Sequence, residues 1–417
     1  MDGKDEEVTK KKKCQVIQQL PEDIISEILL RIPAEILNCM RLVCRTWSDL
    51  ILSQHFVNAH LLRLSPGLLI LERENESDKF KSHFMDVENG QVIKQDLSFT
   101  CPQQVLLGIC NGLLFIGNAD AHLGFHDLCV VNLATKKSIS LPSQSYPTSS
   151  TSFCLYSVSA TKKSIGLPAH PHSTSSTTPF VKYKAGSVTC GITFVPSTNE
   201  YKASINLFRE SLGTGEVSRL CESRILTLGT NTWRELFFPL EGFGRIHMQF
   251  GSSISVGGVL HFRVISPDSK GLDHLTSLDL ASEKLEKTYL PDDLQVPNHP
   301  TRYMFESGGF LSLVDREFNT GKWDIWELKD FYSKDWVKTY TFFIERFWGD
   351  GCLFRPTLSL KNGKLIVFMH SSLSQDPMCL YAYDIENQEL KLLGNVETNR
   401  LNQYSAHVNS LASWGRQ

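Results

Sequence analysis

Long hydrophobic runs, paired cysteine motifs and a strong net charge are all missing from this chain of 417 residues. No apolar run approaches the length of about 18 residues that a transmembrane helix needs, and the N-terminus is polar and charged. We therefore expect neither a membrane span nor a signal peptide. The net charge of −3, from 42 basic and 45 acidic residues, gives no reason to expect nucleic acid or a membrane surface as a partner.

The 11 cysteines are scattered and form no Cys-x-x-Cys pair. Such usage is typical of a reducing compartment, where cysteine serves as a small hydrophobic residue. We therefore expect the protein in the cytoplasm, the nucleus or both. The run Lys10 to Lys13 follows an acidic patch, and it could serve as a nuclear-import signal. We interpret residues 1–15 as a solvated, disordered tail, because short blocks of like charge are usually disordered.

Motifs of enzyme active sites are also missing. The chain has no phosphate-binding loop, no Gly-x-Gly-x-x-Gly opening a helix, no zinc-protease motif and no Gly-x-Ser-x-Gly. His170 and His172 lie in a segment that we interpret as a flexible loop, and we interpret His122, His126 and Asp127 as solvated loop residues. We expect no catalytic residues, no metal site and no cofactor.

Residues 20–50 carry more apolar surface than so short a segment can bury. The spacing of five apolar residues predicts one helix face: Ile24, Ile25, Ile28, Leu29 and Ile32. Pro33 ends that helix and opens the next one. Domains below ~40 residues usually need outside help to fold, so this segment is expected to have a partner.

The order of residues in this segment resembles the F-box, the adaptor-docking module of SCF-type (Skp-cullin-F-box) ubiquitin ligases. The matching stretches are Leu20-Pro21, Leu30-Arg31-Ile32-Pro33 and Arg41-Leu42-Val43-Cys44-Arg45-Thr46-Trp47. The resemblance implies an all-α module at residues 16–60 that binds a Skp-family adaptor and, through it, a cullin. A generic helical hairpin with a buried tryptophan is the alternative. The residues expected at the adaptor interface, or in its direct support, are Leu20, Pro21, Ile24, Ile28, Leu29, Pro33, Leu42, Val43, Cys44 and Trp47.

From about residue 65 onward, short β-rich runs separated by turns replace the helical periodicity. Asn111-Gly112, Gly257-Gly258 and residues 361–364 each predict a hairpin. A strand–turn–strand phrase recurs at residues 131–142, 277–291 and 383–390. A sandwich, a barrel and a propeller all fit many short strands, but the loose spacing of this phrase favours propeller blades of ~40–50 residues. We predict a mainly β chain, with the all-α module followed by a β-propeller-like domain of roughly six to eight blades.

The same β-rich segments resemble the F-box-associated domain of plant F-box proteins, a kelch-like β-propeller. The resemblance lies in residues 108–114, 195–202, 256–262 and 323–326. It implies that residues 65–414 bind an unknown protein substrate and that the chain is a non-catalytic substrate-recognition subunit of a ubiquitin ligase. A scaffold without ubiquitin transfer and a propeller enzyme with an undetected site are the alternatives.

Two further features concern the β region. Residues 134–142 recur almost unchanged at 160–168, and each copy is followed by a Ser/Thr/Pro-rich stretch. We interpret about 134–179 as a flexible, duplicated insert that lengthens one inter-strand loop. The apolar run Ala406 to Trp414 is predicted to meet Gly67 to Leu71 in one closing blade, so that both ends of the domain shut the ring.

Overall fold

The computed structural model describes most of the chain between residues 20 and 414. The described residues are 20–73, 79–86, 93–102, 105–120, 124–143, 183–211, 219–240, 247–248, 253–265, 274–294, 302–317, 320–344, 353–360, 363–371, 378–396 and 403–414. The predicted tail at residues 1–15 and the second copy of the duplication lie outside them.

Short helices form the N-terminal module. They are α1 (Glu22–Leu29), α2 (Ala34–Met40), α3 (Arg45–Leu52) and α4 (Gln54–Leu61). Pro21 and Pro33 stand directly before α1 and α2, where a missing N–H costs nothing. Ser53 caps α4 by accepting a hydrogen bond from the Phe56 amide at 3.3 Å. α1 ends three residues earlier than the apolar spacing predicted, so Ile32 lies in the turn before α2.

The described strands form six antiparallel sheets, arranged as the blades of a β-propeller. The first blade contains β1 (Gly67–Arg73), β2 (Lys79–Asp86) and β3 (Ile93–Pro102). The second contains β4 (Val105–Cys110), β5 (Leu113–Asp120), β6 (Gly124–Asn132) and β7 (Lys137–Ser140). The third contains β8 (Tyr183–Val195), β9 (Glu200–Ser211), β10 (Arg219–Thr227) and β11 (Arg234–Pro239).

The remaining strands complete the ring. The fourth blade contains β12 (His247–Met248), β13 (Ile254–Val256), β14 (Val259–Ile265), β15 (His274–Asp279) and β16 (Lys284–Tyr289). The fifth contains β17 (Arg302–Ser307), β18 (Phe310–Glu317), β19 (Lys322–Asp330) and β20 (Asp335–Phe343). The sixth contains β21 (Leu353–Leu360), β22 (Leu365–Ser371), β23 (Met378–Asp384) and β24 (Glu389–Val396), and β25 (Gln403–His407) joins the first blade.

The two ends of the β region meet in one blade, as predicted, but the closing strand starts earlier in the chain than predicted. β25 pairs with β1 in a register that sets Gly67 opposite His407 and Leu71 opposite Gln403. The closing strand therefore begins before Ala406. Residues 408–414, the C-terminal tail, form no strand and instead place Leu411, Ala412 and Trp414 in or against two hydrophobic clusters. This pairing covers the edge of β1 that would otherwise be unpaired and joins the last strand of the domain to the first blade.

Tight turns join the innermost strand of several blades to the next strand. Asn111-Gly112 has φ values of 50° and 83°, as the predicted type I′ turn requires, and Gly257-Gly258 has 58° and 90°. Gly308-Gly309 repeats the same geometry between β17 and β18, with 58° and 85°. The predicted third hairpin is present as the pair β21–β22, whose turn lies partly outside the described residues.

The recurring strand–turn–strand phrase is the turn between the third and fourth strands of a blade. Its first residue is Asn or Asp, whose side-chain oxygen accepts backbone N–H groups two or three residues on. In the fourth blade the Asp279 carboxylate accepts from the amides of Ala281 and Ser282, at 2.8 and 3.3 Å. The equivalent residues in other blades are Asn132, Asp330 and Asp384. Four residues later the backbone has a positive φ, at Lys136, Glu283, Lys334 and Gln388.

The first copy of the duplicated phrase belongs to the second blade. Residues 133–136 form its turn, and β7 forms its outer strand. The predicted flexible insert therefore begins too early, since residues 134–140 are part of the blade. The connection from β7 to β8 lies mostly outside the described residues.

Candidate functional site

The helical module exposes an unusual share of the large hydrophobic side chains. Of the fifteen that are exposed among the described residues, eight lie within residues 20–62. Six of these belong to α1, α2 and their flanking turns: Leu20, Ile24, Ile28, Ile36, Leu42 and Val43. We call these six the docking face. Exposed apolar surface concentrated on one small module is typical of a protein–protein interface.

The structure divides the ten predicted adaptor residues into two groups. Eight are exposed to solvent: Leu20, Pro21, Ile24, Ile28, Pro33, Leu42, Val43 and Cys44. Leu29 is 1% exposed and lies in the core of the helical module, and half-buried Trp47 packs against the same core. These two positions therefore support the fold rather than the surface. Leu42 is the most accessible member of the docking face, at 81%.

The predicted helix face is split in the same way. Ile24 and Ile28, four residues apart, point to solvent, while Ile25 and Ile32 pack against the core. Ile36 belongs to the docking face although the sequence-based set of adaptor residues leaves it out. The only signal for Ile36 in the sequence is that it is an apolar residue on α2 directly before Leu37, which is buried.

The helical module is anchored to the second blade. One hydrophobic cluster combines Leu37 and Phe56 of the helices with Ala134 of the blade and Leu411 of the C-terminal tail. Asn38 donates to the Thr135 carbonyl at 3.4 Å. This cluster and the hydrogen bond of Asn38 join the helical module to the second blade and to the tail.

Asn132 holds the tail at this junction. Its side chain is fully buried and donates to the carbonyl oxygens of Ser410 and Ala412, at 3.0 and 2.8 Å. Its Oδ1 accepts from the Thr135 amide at 3.0 Å. The tail is thereby tied to the turn on which the helices rest.

A cavity of about 950 Å³ occupies the centre of the ring, and we call it the central channel. The innermost strands β4, β13, β17, β21 and β25 line it together with residues 61–66 that follow α4. Among the described residues, three charged side chains line its wall: Arg63 after α4, Glu306 on β17 and Arg355 on β21. The Glu306 carboxylate accepts from the Gly309 amide at 2.6 Å, and burial raises the pKa of this carboxyl. No signal in the sequence indicated any of the three.

Several buried cysteine and histidine side chains of the propeller favour their neutral forms. Burial raises the pKa of the Cys110 thiol to about 11 and that of Cys221 to about 12, so neither is a thiolate at neutral pH. Burial lowers the pKa of His261 to about 3 and that of His407 to about 4, so both rings stay neutral. Within the described ranges, His, Cys, Asp and Glu form no group of three that could hold a metal ion.

Comparison with known proteins agrees with this architecture. The model of the F-box domain matches residues 17–58, and that of the F-box associated beta propeller domain matches residues 68–407. The chain belongs to the F-box proteins with an F-box-associated β-propeller. The predicted fold is thus confirmed, with six blades in the described part of the chain. For an F-box protein, the F-box implies binding of a Skp-type adaptor.

Two Arabidopsis thaliana relatives resemble this F-box protein over most of their length. F-box protein At3g07870 is 26% identical, over 78% of this chain and 73% of its own. F-box protein At5g49610 is 23% identical, over 76% of this chain and 77% of its own. Among solved structures, an oligogalacturonate lyase in complex with manganese covers 78% of this chain and 77% of its own, at 11% identity and a TM-score of 0.38. Similarity at that level carries no argument about function.

The lengths and compositions of the helices bear on whether they could cross a membrane. None of the helices in the described ranges has the length and apolar character needed to cross a bilayer.

Proposed function

We propose that this F-box protein is the substrate-recognition subunit of an SCF-type ubiquitin ligase. The docking face binds a Skp-family adaptor and through it a cullin, while the propeller binds the protein substrate. The observation that carries the proposal is the docking face itself, six exposed apolar side chains on a module whose own core is already filled by Leu29, Leu37 and Phe56. Exposed Pro21, Pro33 and Cys44 border this surface.

The proposed mechanism is proximity rather than bond chemistry on the chain itself. A substrate held by the propeller meets the charged ubiquitin carrier at a raised effective concentration. Such a receptor works best when its two binding surfaces keep a fixed geometry. The anchoring of the helices on Ala134 and Leu411 supports this feature of the proposal.

A catalytic role for the chain has less support. A ubiquitin thioester would need a thiolate, and burial raises the thiol pKa of Cys110, Cys190 and Cys221. The exposed thiols of Cys39 and Cys44 lie on the helical module, beside the proposed adaptor surface. We therefore propose a non-catalytic receptor.

The test of adaptor binding uses the double variant Ile28→Asp/Leu42→Asp in the full chain. Truncation of a central interface anchor typically costs ~2 kcal/mol or more, about 30-fold in affinity, and a charge at an apolar contact costs at least as much. We expect loss of capture by a Skp-type adaptor without a change in melting temperature. Leu392→Asp is the matched control, because this exposed leucine lies on the outer strand of the sixth blade. Undiminished binding by the double variant would contradict the proposal.

Ubiquitin transfer needs a separate experiment. Proteins captured by the wild type are followed in cells that express either the wild type or the double variant. A receptor acts only through the adaptor, so the captured proteins should reach higher levels in cells with the variant. In cells with the wild type, proteasome inhibition should raise the levels of the same proteins. Turnover that responds to neither change would instead indicate a scaffold.

A further inference from the structure

Arg355 is an arginine inside the propeller without an acidic partner among the described residues. It lies on innermost strand β21, borders the central channel and is open to water there. The other arginine along this cavity, Arg63, is held by both carboxylate oxygens of Glu27, at 3.0 and 3.1 Å. A guanidinium that faces a cavity and forms no ion pair with the described residues is a ready site for an anion.

Two tyrosines flank Arg355. Tyr303 comes from β17 and Tyr404 from β25, the innermost strands of the two neighbouring blades, and both line the cavity. Burial lowers the pKa of Arg355, and the neighbouring Tyr303 and Tyr404 act in the opposite direction. Phenol hydroxyls can donate hydrogen bonds to the same oxygens that a guanidinium binds. One level of the wall therefore brings a guanidinium and two phenol groups together.

The opposite end of the channel disfavours anions. Glu306 stands one residue before the end of β17, beside the turns and residues 61–66. Arg355 stands five residues before the end of β21, four residues farther from that end than Glu306 is on β17, which corresponds to roughly 13 Å along the strand. The channel is thus polarised, positive near the start of the innermost strands and acidic near the helical module.

The shape of the channel suits an extended peptide. Its volume of about 950 Å³ is far larger than a single ion needs and lies at the upper end of the range of ~300–1,000 Å³ typical of ligand pockets. β4, β17, β21 and β25 are each the terminal strand of their sheet, so one backbone edge of each is unpaired with any other described strand. Such edges can hydrogen-bond to an extended chain.

We propose that the central channel binds a segment of the substrate protein through an anionic side chain, a carboxylate or a phosphate, which pairs with Arg355 between Tyr303 and Tyr404. This inference rests on the proposed role as a substrate receptor and adds the chemical class of the recognised segment. The anion enters from the mouth that lies away from the helical module, because Glu306 repels it at the other end.

The test measures binding of fluorescent octapeptide pools to the full chain. Each pool has randomised flanks, an amidated C-terminus and one fixed central residue: glutamate, phosphoserine or glutamine. We expect the glutamate pool, the phosphoserine pool or both to bind at least about tenfold more tightly than the glutamine pool, since hydrogen bonds to charged groups are the strong ones. Acetate and inorganic phosphate are added as competitors. If the channel binds a peptide segment, either free anion should displace the bound peptides only weakly.

Variants of Arg355 distinguish a specific role of this side chain from a general effect of positive charge on the protein surface. Arg355→Ala should abolish the preference for the acidic pools, and Arg355→Lys should keep part of it. Arg234→Ala is the matched control, because this exposed arginine lies on outer strand β11 and should leave the preference unchanged. Adaptor capture is measured in the same samples and should be unaffected by all three changes, which separates failure of this inference from failure of the proposed function. Equal binding of the three pools by the wild type, or an unchanged preference in Arg355→Ala, would overturn the inference.

Discussion

Replacement of Asn132 by aspartate should release the C-terminal tail from the propeller. The side chain is fully buried at the end of β6, and its Nδ2 donates to two tail carbonyls, at 3.0 and 2.8 Å. Asp279, Asp330 and Asp384 occupy the equivalent position in other blades, where the side chain accepts backbone N–H groups. The second blade has an amide there, which accepts from the turn and donates two hydrogen bonds to the tail, whereas an ionised carboxylate only accepts.

The magnitude follows from the groups left unpaired. Asn132→Asp preserves an acceptor for the Thr135 amide but sets a carboxylate oxygen against the carbonyls of Ser410 and Ala412. Each buried polar group that loses its partner costs about 1–3 kcal/mol, so two carbonyls cost roughly 2–6 kcal/mol. Leu411 lies between them and belongs to the hydrophobic cluster of the helices. The loss should therefore weaken the junction between the F-box and the propeller as well as the tail.

The assay is urea unfolding followed by tryptophan fluorescence, with Asp384→Asn as the matched control. The Asp384 carboxylate accepts from the amides of Glu386 and Asn387, at 3.0 and 3.1 Å, and an amide oxygen can take over that role. We expect the control to stay within about 1 kcal/mol of the wild type, as a substitution of a partly exposed residue usually does. Equal unfolding midpoints for the two variants would refute the idea that Asn132 clamps the tail.

Two further predictions concern pH and ring closure. Burial holds the pKa of His261 and His407 at about 3 and 4, below the ordinary value of 6.5, so the unfolded chain takes up protons first as the pH falls. The free energy of unfolding should therefore decrease from pH 6.5 toward pH 4, by about 1.4 kcal/mol for each histidine and each pH unit. Urea unfolding midpoints that do not change with pH would contradict this prediction. Gly67→Ala should destabilise the closing blade because its Cβ would collide with the Phe84 ring, whereas Gly394→Ala meets no atom within 4 Å and should leave the melting temperature unchanged.

Local signals explain which elements could be predicted. The F-box depends on prolines and apolar spacing within about thirty residues, and hairpins such as Asn111-Gly112 are encoded by residues that tolerate positive φ. The turn between the third and fourth strands is equally local, since Asp279 binds amides two and three residues away. These features need no knowledge of the rest of the chain.

Signals that depend on distant residues could not be found in the same way. Ile28 and Leu29 are adjacent apolar residues, yet one is exposed and the other is 1% exposed, because the core that covers Leu29 includes residues from α2, α3 and α4. Arg355 gave no signal because its neighbours Tyr303 and Tyr404 are about fifty residues away in both directions.

The sequence by itself determined the family, the order of the two modules and the type of each blade, because these follow from spacing, turn residues and alternation along a few residues. It also indicated that the two ends of the β region meet. The tertiary structure alone decided which apolar residues form the docking face, that the strand closing the ring is Gln403–His407, and that the tail ties the F-box to the second blade. It alone placed Arg355 and Glu306 at different levels of one channel. Each of these depends on contacts between residues far apart in the chain, whose partners are chosen only when the ring has closed.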